Sequence, residues 1–317
     1  MNQAAFSSLL SIMIVLFLLM ATGFWARKTG IIDDVASKRL SKLIINIGQP
    51  MLIISSLIKI EYNAENTKAG IIMACLGIAV NTVVSVIAFF ATKGIKNLDE
   101  HKITEYSIVF ANVGFIGFPI FRSVFGDIGE FWGSFYVIGF HLFMWTWGLM
   151  ILARERDDIK LTPRKILINY GTIPCFIGLV IYFSKAFIET PGFLISYTGF
   201  LSNLCTPVSV LIIGALLATR SLRQVFCNKN VYLTCAFRLF IIPIFICVTT
   251  KLIGLPDYIV LFSTAASALP SASSVTMFAE LYDISPGYAA QGVGVTSVIS
   301  VASLPVIMYI ANYIVGL

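Results

Sequence analysis

Long apolar runs alternate with short polar connections along the whole chain. Ten runs can be counted, each near the roughly 20 residues that a helix needs to cross the hydrocarbon core of a bilayer. They cover about residues 6–26, 37–58, 69–92, 103–125, 131–153, 166–185, 194–219, 231–254, 258–281 and 287–315. The pattern therefore predicts an all-α polytopic membrane protein with ten transmembrane helices.

Two of the predicted spans contain residues that interrupt a helix. The fourth span holds Gly114, Gly117 and Pro119, and the ninth holds Pro270 followed by a serine-rich stretch. Glycine weakens helix propensity, and proline lacks an N–H and clashes with the preceding turn. One break alone is ordinary, because both residues are common in membrane helices. Two breaks at corresponding places in two halves indicate the binding site of a transporter.

The longest polar connection, residues 154–165, divides the spans into five and five. We expect a first five-helix repeat over 1–153, a short cytoplasmic linker over 154–165 and a second repeat over 166–317. Lys and Arg number 16 on the side of the linker and 5 on the other, with Arg238 left inside the eighth span. The positive-inside rule then places both termini outside. Because each half has an odd number of spans, homologous halves would form an inverted repeat.

Composition supports a membrane protein and argues against a soluble domain, a nucleic-acid-binding protein and an enzyme. The chain is 58% hydrophobic and 12% charged, with a mean hydropathy of +0.90, whereas a soluble domain is about 25% charged. The net charge of +6 is explained by cytoplasmic loops and does not indicate nucleic-acid binding. The six cysteines lack metal-type spacing, and no enzyme motif is present. We expect no metal, no cofactor and no catalysis.

Polar groups at bilayer depth are costly and are candidates for function. The candidates for substrate binding are Asn112, Gly114, Gly117, Pro119, Pro270, Ser271, Ser273, Ser274, Ser55, Asn203 and His141. Structural alternatives exist, since Asn112 could cap a half-helix, and Ser55 and Asn203 could pack helices together. His141 could sense pH, contact substrate or bond a neighbouring helix. Arg238 could extend its charged head to the membrane surface.

Short motifs in four spans resemble those of the auxin efflux carrier family, which includes plant auxin exporters and bacterial malonate or malate permease-like proteins. The fourth span contains Asn112 followed by Gly117-Phe118-Pro119, and the seventh contains Pro207 with Gly214. The ninth contains Ala268-Leu269-Pro270 followed by Phe278-Ala279 and Tyr282, and the tenth contains Leu304-Pro305. Each motif is short, but their order and spacing along nearly the whole chain make the combination specific.

The resemblance implies two inverted five-helix repeats, with helices 4 and 9 broken and crossing at their prolines. Helices 1, 2, 6 and 7 would form a scaffold, and helices 3–5 and 8–10 a moving transport domain. It also implies elevator-type secondary transport of a small organic anion, either an auxin-like carboxylate or a dicarboxylate, by a homodimer in the plasma membrane, here the bacterial inner membrane. The long hydrophilic loop of plant members is replaced by the short linker 154–165, so control through that loop is not expected.

The electrostatics of two broken helices agrees with an anion but leaves a cation open. Half-helix N-termini near the midplane carry partial positive charge and suit a carboxylate without a buried Lys or Arg. If carbonyl ends dominate instead, the alternative is a sodium- or proton-coupled organic-anion importer related to bile-acid symporters; a gated channel or a membrane sensor also stays open. Because no Asp or Glu lies between Tyr106 and Phe125 or between Ile259 and Ala279, we expect potential-driven efflux without an obligatory coupling ion.

Overall fold

A computed structural model describes residues 3–156, 168, 172–219 and 228–316. Its helices, in chain order, are α1 (Gln3–Lys28), α2 (Asp34–Lys59), α3 (Ala64–Thr92), α4a (Leu98–Val109), α4b (Val113–Phe125), α5 (Asp127–Ala153), α6 (Thr172–Ser184), α7 (Gly192–Leu217), α8 (Lys229–Leu252), α9a (Asp257–Ala268), α9b (Ser274–Leu281) and α10 (Pro286–Val315). Within these ranges the β pairing consists of one isolated antiparallel bridge.

Within the described ranges, seven helices are long and apolar enough to cross a membrane, namely α1, α2, α3, α5, α7, α8 and α10. They coincide with seven of the ten predicted spans, which confirms an all-helical, multi-pass membrane protein over this part of the chain. The fourth and ninth predicted spans are each divided into two shorter helices. Most of the predicted linker 154–165, and the first residues of the sixth predicted span, lie outside the described residues.

The two breaks are two short extended segments, residues 110–112 and 269–273, which together we call the crossing. Pro270 lies in the second segment, as predicted. Gly114, Gly117 and Pro119 lie inside α4b, so the prediction that they interrupt the fourth span is wrong. Pro119 lies in the middle of α4b, two residues after the end of a π turn.

Wide π turns explain how several prolines fit into helices that continue past them. The turns Ile44–Gly48, Val113–Gly117 and Phe237–Ile241 precede Pro50, Pro119 and Pro243 respectively. A proline ring clashes with the carbonyl four residues before it, and in each case that carbonyl belongs to the middle residue of the π turn. The wider turn relieves the clash. A fourth π turn, Met144–Gly148, precedes no proline.

Glycines bring two pairs of helices into backbone contact. Where α1 packs on α7, a Cβ added at Gly23 would lie 2.0 Å from a carbonyl oxygen of α7, and one at Gly214 would lie 1.9 Å from a carbonyl oxygen of α1. Gly77 and Gly139 do the same between α3 and α5, with distances of 2.4 and 2.1 Å. Small residues of this kind let helices approach closely in lipid, where the hydrophobic effect does not drive them together.

The contact between α1 and α7 gives a stability prediction. Gly214→Ala should lower the thermal unfolding temperature of the purified protein, because its methyl group overlaps a backbone carbonyl and overpacking costs about 1–3 kcal/mol. The control is Gly199→Ala on the same helix, where nothing lies within 4 Å of the added Cβ and helix propensity improves. Equal unfolding temperatures for the two variants would contradict the close packing of α1 on α7.

Candidate substrate site at the helix crossing

The two extended segments of the crossing pair with each other in the protein interior. The Asn112 N–H donates to the Pro270 carbonyl at 2.8 Å, and the Ala272 N–H donates to the Phe110 carbonyl at 2.9 Å. All four residues are buried. The ends of α4a, α4b, α9a and α9b therefore meet at one place and are joined there by main-chain hydrogen bonds.

Polar side chains bond further groups that the breaks free. The Asn112 amide nitrogen donates to the Ser273 hydroxyl at 3.0 Å, while its amide oxygen accepts from the Phe115 N–H at 3.3 Å. The Ser271 hydroxyl donates to the Ser107 carbonyl at 2.9 Å, and the Ser271 N–H donates to a threonine hydroxyl of α10 at 3.2 Å. Asn112 thus caps the start of α4b and also links the two segments.

The guanidinium of Arg238, on α8, binds the carbonyl ends of both N-terminal half-helices. Nη1 donates to the carbonyls of Ile108 and Val109 at 2.9 and 3.2 Å, at the end of α4a. Nε and Nη2 donate to the carbonyls of Leu269 and Ser267 at 3.0 and 2.6 Å, at the end of α9a. Arg238 is only 2% exposed, so the interpretation that its head reaches the membrane surface is wrong.

Arg238 brings a positive charge to the crossing, which the sequence did not predict. Among the described residues, no carboxylate oxygen lies within 4.0 Å of the guanidinium nitrogens of Arg238, the distance that defines an ion pair. Glu105, on α4a, is fully buried but is paired with Arg154 by two bonds of 2.8 and 3.2 Å. Within the described ranges, His, Cys, Asp and Glu form no group of three that could hold a metal ion.

Side chains of α2 and α7 reach the start of α4b. A Cβ at Gly114 would lie 2.9 Å from the Gln49 amide nitrogen, so glycine is what allows this approach. The Thr206 hydroxyl donates to the Phe115 carbonyl at 3.2 Å. The Gln49 amide nitrogen is also 3.4 Å from Nε2 of His141, on α5. With that amide orientation Nε2 must accept, because an amide nitrogen only donates.

The structure brings most of the predicted site residues together. At or beside the crossing lie Asn112, Gly114, Gly117, Pro270, Ser271, Ser273 and Ser274. Pro119 instead lines an open cleft of about 540 Å³ between α1 and α4b, and His141 contacts Gln49. Ser55 is fully buried within α2, whereas Asn203 is exposed on α7; no hydrogen bond joins either of these two described side chains to the crossing.

Interrupted helices that meet at an interior polar site are a feature of many membrane transporters. Residues 8–308 match the family described as membrane transport protein. The chain therefore belongs to this family, which confirms the resemblance to auxin efflux carriers, and it is a membrane transporter.

Two relatives are similar over nearly their whole length. An uncharacterized transporter of Methanothermobacter thermautotrophicus is 21% identical over 300 residues, which cover 94% of this chain and 95% of the relative. An uncharacterized transporter of Methanocaldococcus jannaschii is 21% identical over 307 residues, covering 92% and 95%. Both agree with the assignment to a transporter family, and neither name specifies a substrate.

The bonds of Asn112 give a prediction about transport. Asn112→Ala removes the link to Ser273 and the cap on Phe115 but leaves the main-chain bonds of the crossing, so transport per folded protein should fall about tenfold with little loss of folded yield. The control is Asn312→Ala on α10, where the amide donates to the Met308 carbonyl of its own helix at 2.7 Å. An equal loss of transport in both variants would contradict a special role for Asn112.

Proposed function

We propose that the protein is a secondary transporter that moves a small organic anion, an auxin-like carboxylate or a dicarboxylate, across the plasma membrane by elevator-type alternating access. The observation that carries this proposal is the crossing, which combines two half-helix starts with the charge of Arg238 in the protein interior. Helix N-termini bind anions through free N–H groups and the helix dipole. A nearby guanidinium without a carboxylate partner strengthens the preference for an anion.

Among the predicted site residues, Gly114, Ser273 and Ser274 are the first candidates for contact with the substrate. They lie at the starts of α4b and α9b and are partly exposed. The backbone N–H groups at such positions have no partner within their own helix. Asn112 and Ser271 are buried and hydrogen-bonded within the crossing, so we propose that they maintain the geometry of the site and do not contact the substrate.

The helix packing supports two inverted repeats, residues 1–153 and 166–317, with ten transmembrane helices in total. In this arrangement α1 to α5 correspond to α6 to α10. The packing of α1 on α7 corresponds to that of α6 on α2, and the packing of α3 on α4a corresponds to that of α8 on α9a. The contact between α2 and α5 likewise corresponds to the one between α7 and α10.

Packing also supports a division into a scaffold (α1, α2, α6 and α7) and a transport domain (α3 to α5 and α8 to α10). No pair of described helices that joins the two groups packs as extensively as α1 on α7 within the scaffold or α3 on α5 within the transport domain. The crossing lies wholly in the transport domain, and Arg238 lies there with it. An elevator motion would therefore carry the crossing and its charge together.

The remaining features of the proposal concern the membrane and assembly. The bias of 16 basic residues against 5 supports termini outside and the 154–165 linker in the cytoplasm, in a plasma membrane such as the bacterial inner membrane. A homodimer through the scaffold is supported by large apolar side chains exposed on α6 and α7, among them Phe176, Phe193 and Phe200.

A proton-coupled importer is the second candidate, and His141 is the observation that favours it. The imidazole is 3% exposed and contacts Gln49 where the proposed transport domain meets the scaffold. Movement between these two groups would change its surroundings, and a histidine titrates near physiological pH. A proton bound there could travel with the substrate.

Reconstituted protein distinguishes these two candidates. In liposomes with a clamped potassium diffusion potential, flux of a monovalent carboxylate should follow the voltage and persist without sodium or a pH gradient. Each 100 mV contributes about 2.3 kcal/mol per charge, which corresponds to an accumulation on the order of 50-fold. If voltage has no effect, and a pH gradient drives accumulation that His141→Gln abolishes, the proton-coupled importer is correct instead.

The elevator motion predicts that a disulfide between α7 and α10 stops transport. A Cβ at Gly294 would lie 2.5 Å from Cγ of Leu217, so Leu217→Cys with Gly294→Cys brings the two Cβ atoms near the roughly 3.5–4.5 Å of a disulfide. In a cysteine-free background, oxidation of this pair should remove most of the flux, and reduction should restore it.

The matched control for this crosslink is Leu57→Cys with Gly178→Cys, which joins α2 and α6 within the proposed scaffold. A Cβ at Gly178 would lie 3.4 Å from that of Leu57. Oxidation of the control pair should leave transport unchanged. Full flux through protein with an oxidised bond between positions 217 and 294 would refute rigid-body motion between the two groups.

A further inference from the structure

Four carbonyl oxygens converge on one side chain at the crossing. Two belong to the end of α4a and two to the end of α9a, and all lie between 2.6 and 3.2 Å from the guanidinium nitrogens of Arg238. The last carbonyls of a helix have no partner within the helix and carry the negative end of its dipole. Two such ends side by side need a positive charge close to both.

Carbonyl ends of broken helices are also where transporters coordinate a coupling cation. In this protein the guanidinium is bonded to those oxygens, in a side chain that is 2% exposed. Its planar array of donors satisfies several acceptors at once and keeps its charge. Arg238 is therefore a fixed cation in a position where an exchangeable ion could otherwise bind.

The local structure of α8 supports a dedicated position for this charge. Arg238 lies in the π turn Phe237–Ile241, which accommodates Pro243. No carboxylate of the described residues pairs with it, in contrast to Arg154, which pairs with the buried Glu105. The hydrogen bonds of Arg238 to described residues go to backbone carbonyl oxygens, which sets it apart from a structural ion pair.

We propose that Arg238 is the resident cation of the crossing: it takes the place of an exchangeable coupling ion, and its removal leaves a carbonyl site that binds a small monovalent cation. The inference rests on the proposed function for its consequence in transport. Wild-type protein then moves a monovalent anion with one net charge and without sodium. A variant that lacks Arg238 binds a cation from solution at the carbonyl site. It then moves the anion together with that cation and transfers no net charge.

The cation site can be tested without any substrate. Purified Arg238→Ala is unfolded thermally in choline chloride, then with added guanidinium, which replaces the lost head group, or added sodium. At ten times the dissociation constant, guanidinium or sodium should raise the unfolding temperature of the variant by about 2 °C. The wild-type protein should not respond, because Arg238 occupies its site. A variant that responds to neither cation overturns the proposal.

A matched control comes from Lys185, which also donates to helix-end carbonyls. Its Nζ bonds the carbonyls of Ile58 and Ile60 at the end of α2, away from the crossing. Lys185→Ala should show no response to guanidinium or sodium. If it responds as Arg238→Ala does, the effect is a general one on exposed carbonyls, and the proposed site is refuted.

Transport gives a second readout, which a purely structural role of Arg238 would not change. In liposomes, Arg238→Ala should require guanidinium or sodium for flux of a monovalent anion and should lose its response to voltage. Arg238→Lys keeps the charge but loses the planar array of donors, so its flux should be slower than that of wild type and still independent of sodium. Cation-independent, voltage-driven flux through Arg238→Ala would overturn the proposal.

The outcomes separate this inference from the proposed function. If wild-type protein moves no anion but Arg238→Ala binds guanidinium or sodium, the function fails and the cation site stands. If wild-type protein moves anions and Arg238→Ala neither binds nor needs a cation, the function stands and the cation site fails. If Arg238→Ala cannot be recovered folded, wild-type protein decides, because a sodium requirement for its flux would overturn the inference and sodium-independent flux would support it.

Discussion

A helix that is interrupted inside a bilayer must find partners for the backbone groups that it frees, and this constraint governs the structure around the crossing. The extended segments bond each other through Asn112, Pro270, Ala272 and Phe110. The freed carbonyls at the ends of α4a and α9a bind Arg238. The carbonyl ends are thus occupied, whereas the starts of α4b and α9b are the ends to which the proposed function assigns the ligand.

Much of this fold could be predicted from the apolar runs, because the length of a span is set by the thickness of the bilayer. Seven predicted spans coincide with long helices to within a few residues. The breaks were predicted from Gly and Pro, but only Pro270 lies in a break. The sequence did not show that a π turn lets α4b continue past Pro119.

The partners within the site could not be predicted, because they come from distant parts of the chain. Arg238 was visible as a charge at bilayer depth, and such charges often pair with backbone carbonyls; its acceptors, however, are 29 to 130 residues away along the chain. Gly114 was visible as a glycine near a break, but the close approach of the Gln49 side chain to it was not. Such pairings depend on how the helices pack.

The position of Arg238 has a consequence for which step of the proposed cycle responds to voltage. The residue and all its carbonyl partners lie in the proposed transport domain, so the charge moves with the crossing. With a monovalent anion bound, the two charges cancel, and the loaded domain crosses the field without electrical work. The empty crossing carries the positive charge of Arg238, worth up to about 2.3 kcal/mol per 100 mV if it crosses the full field. A potential that is negative inside therefore returns the empty site to the cytoplasmic side. The membrane potential would then favour export by resetting the carrier, even though the loaded step itself is electrically neutral.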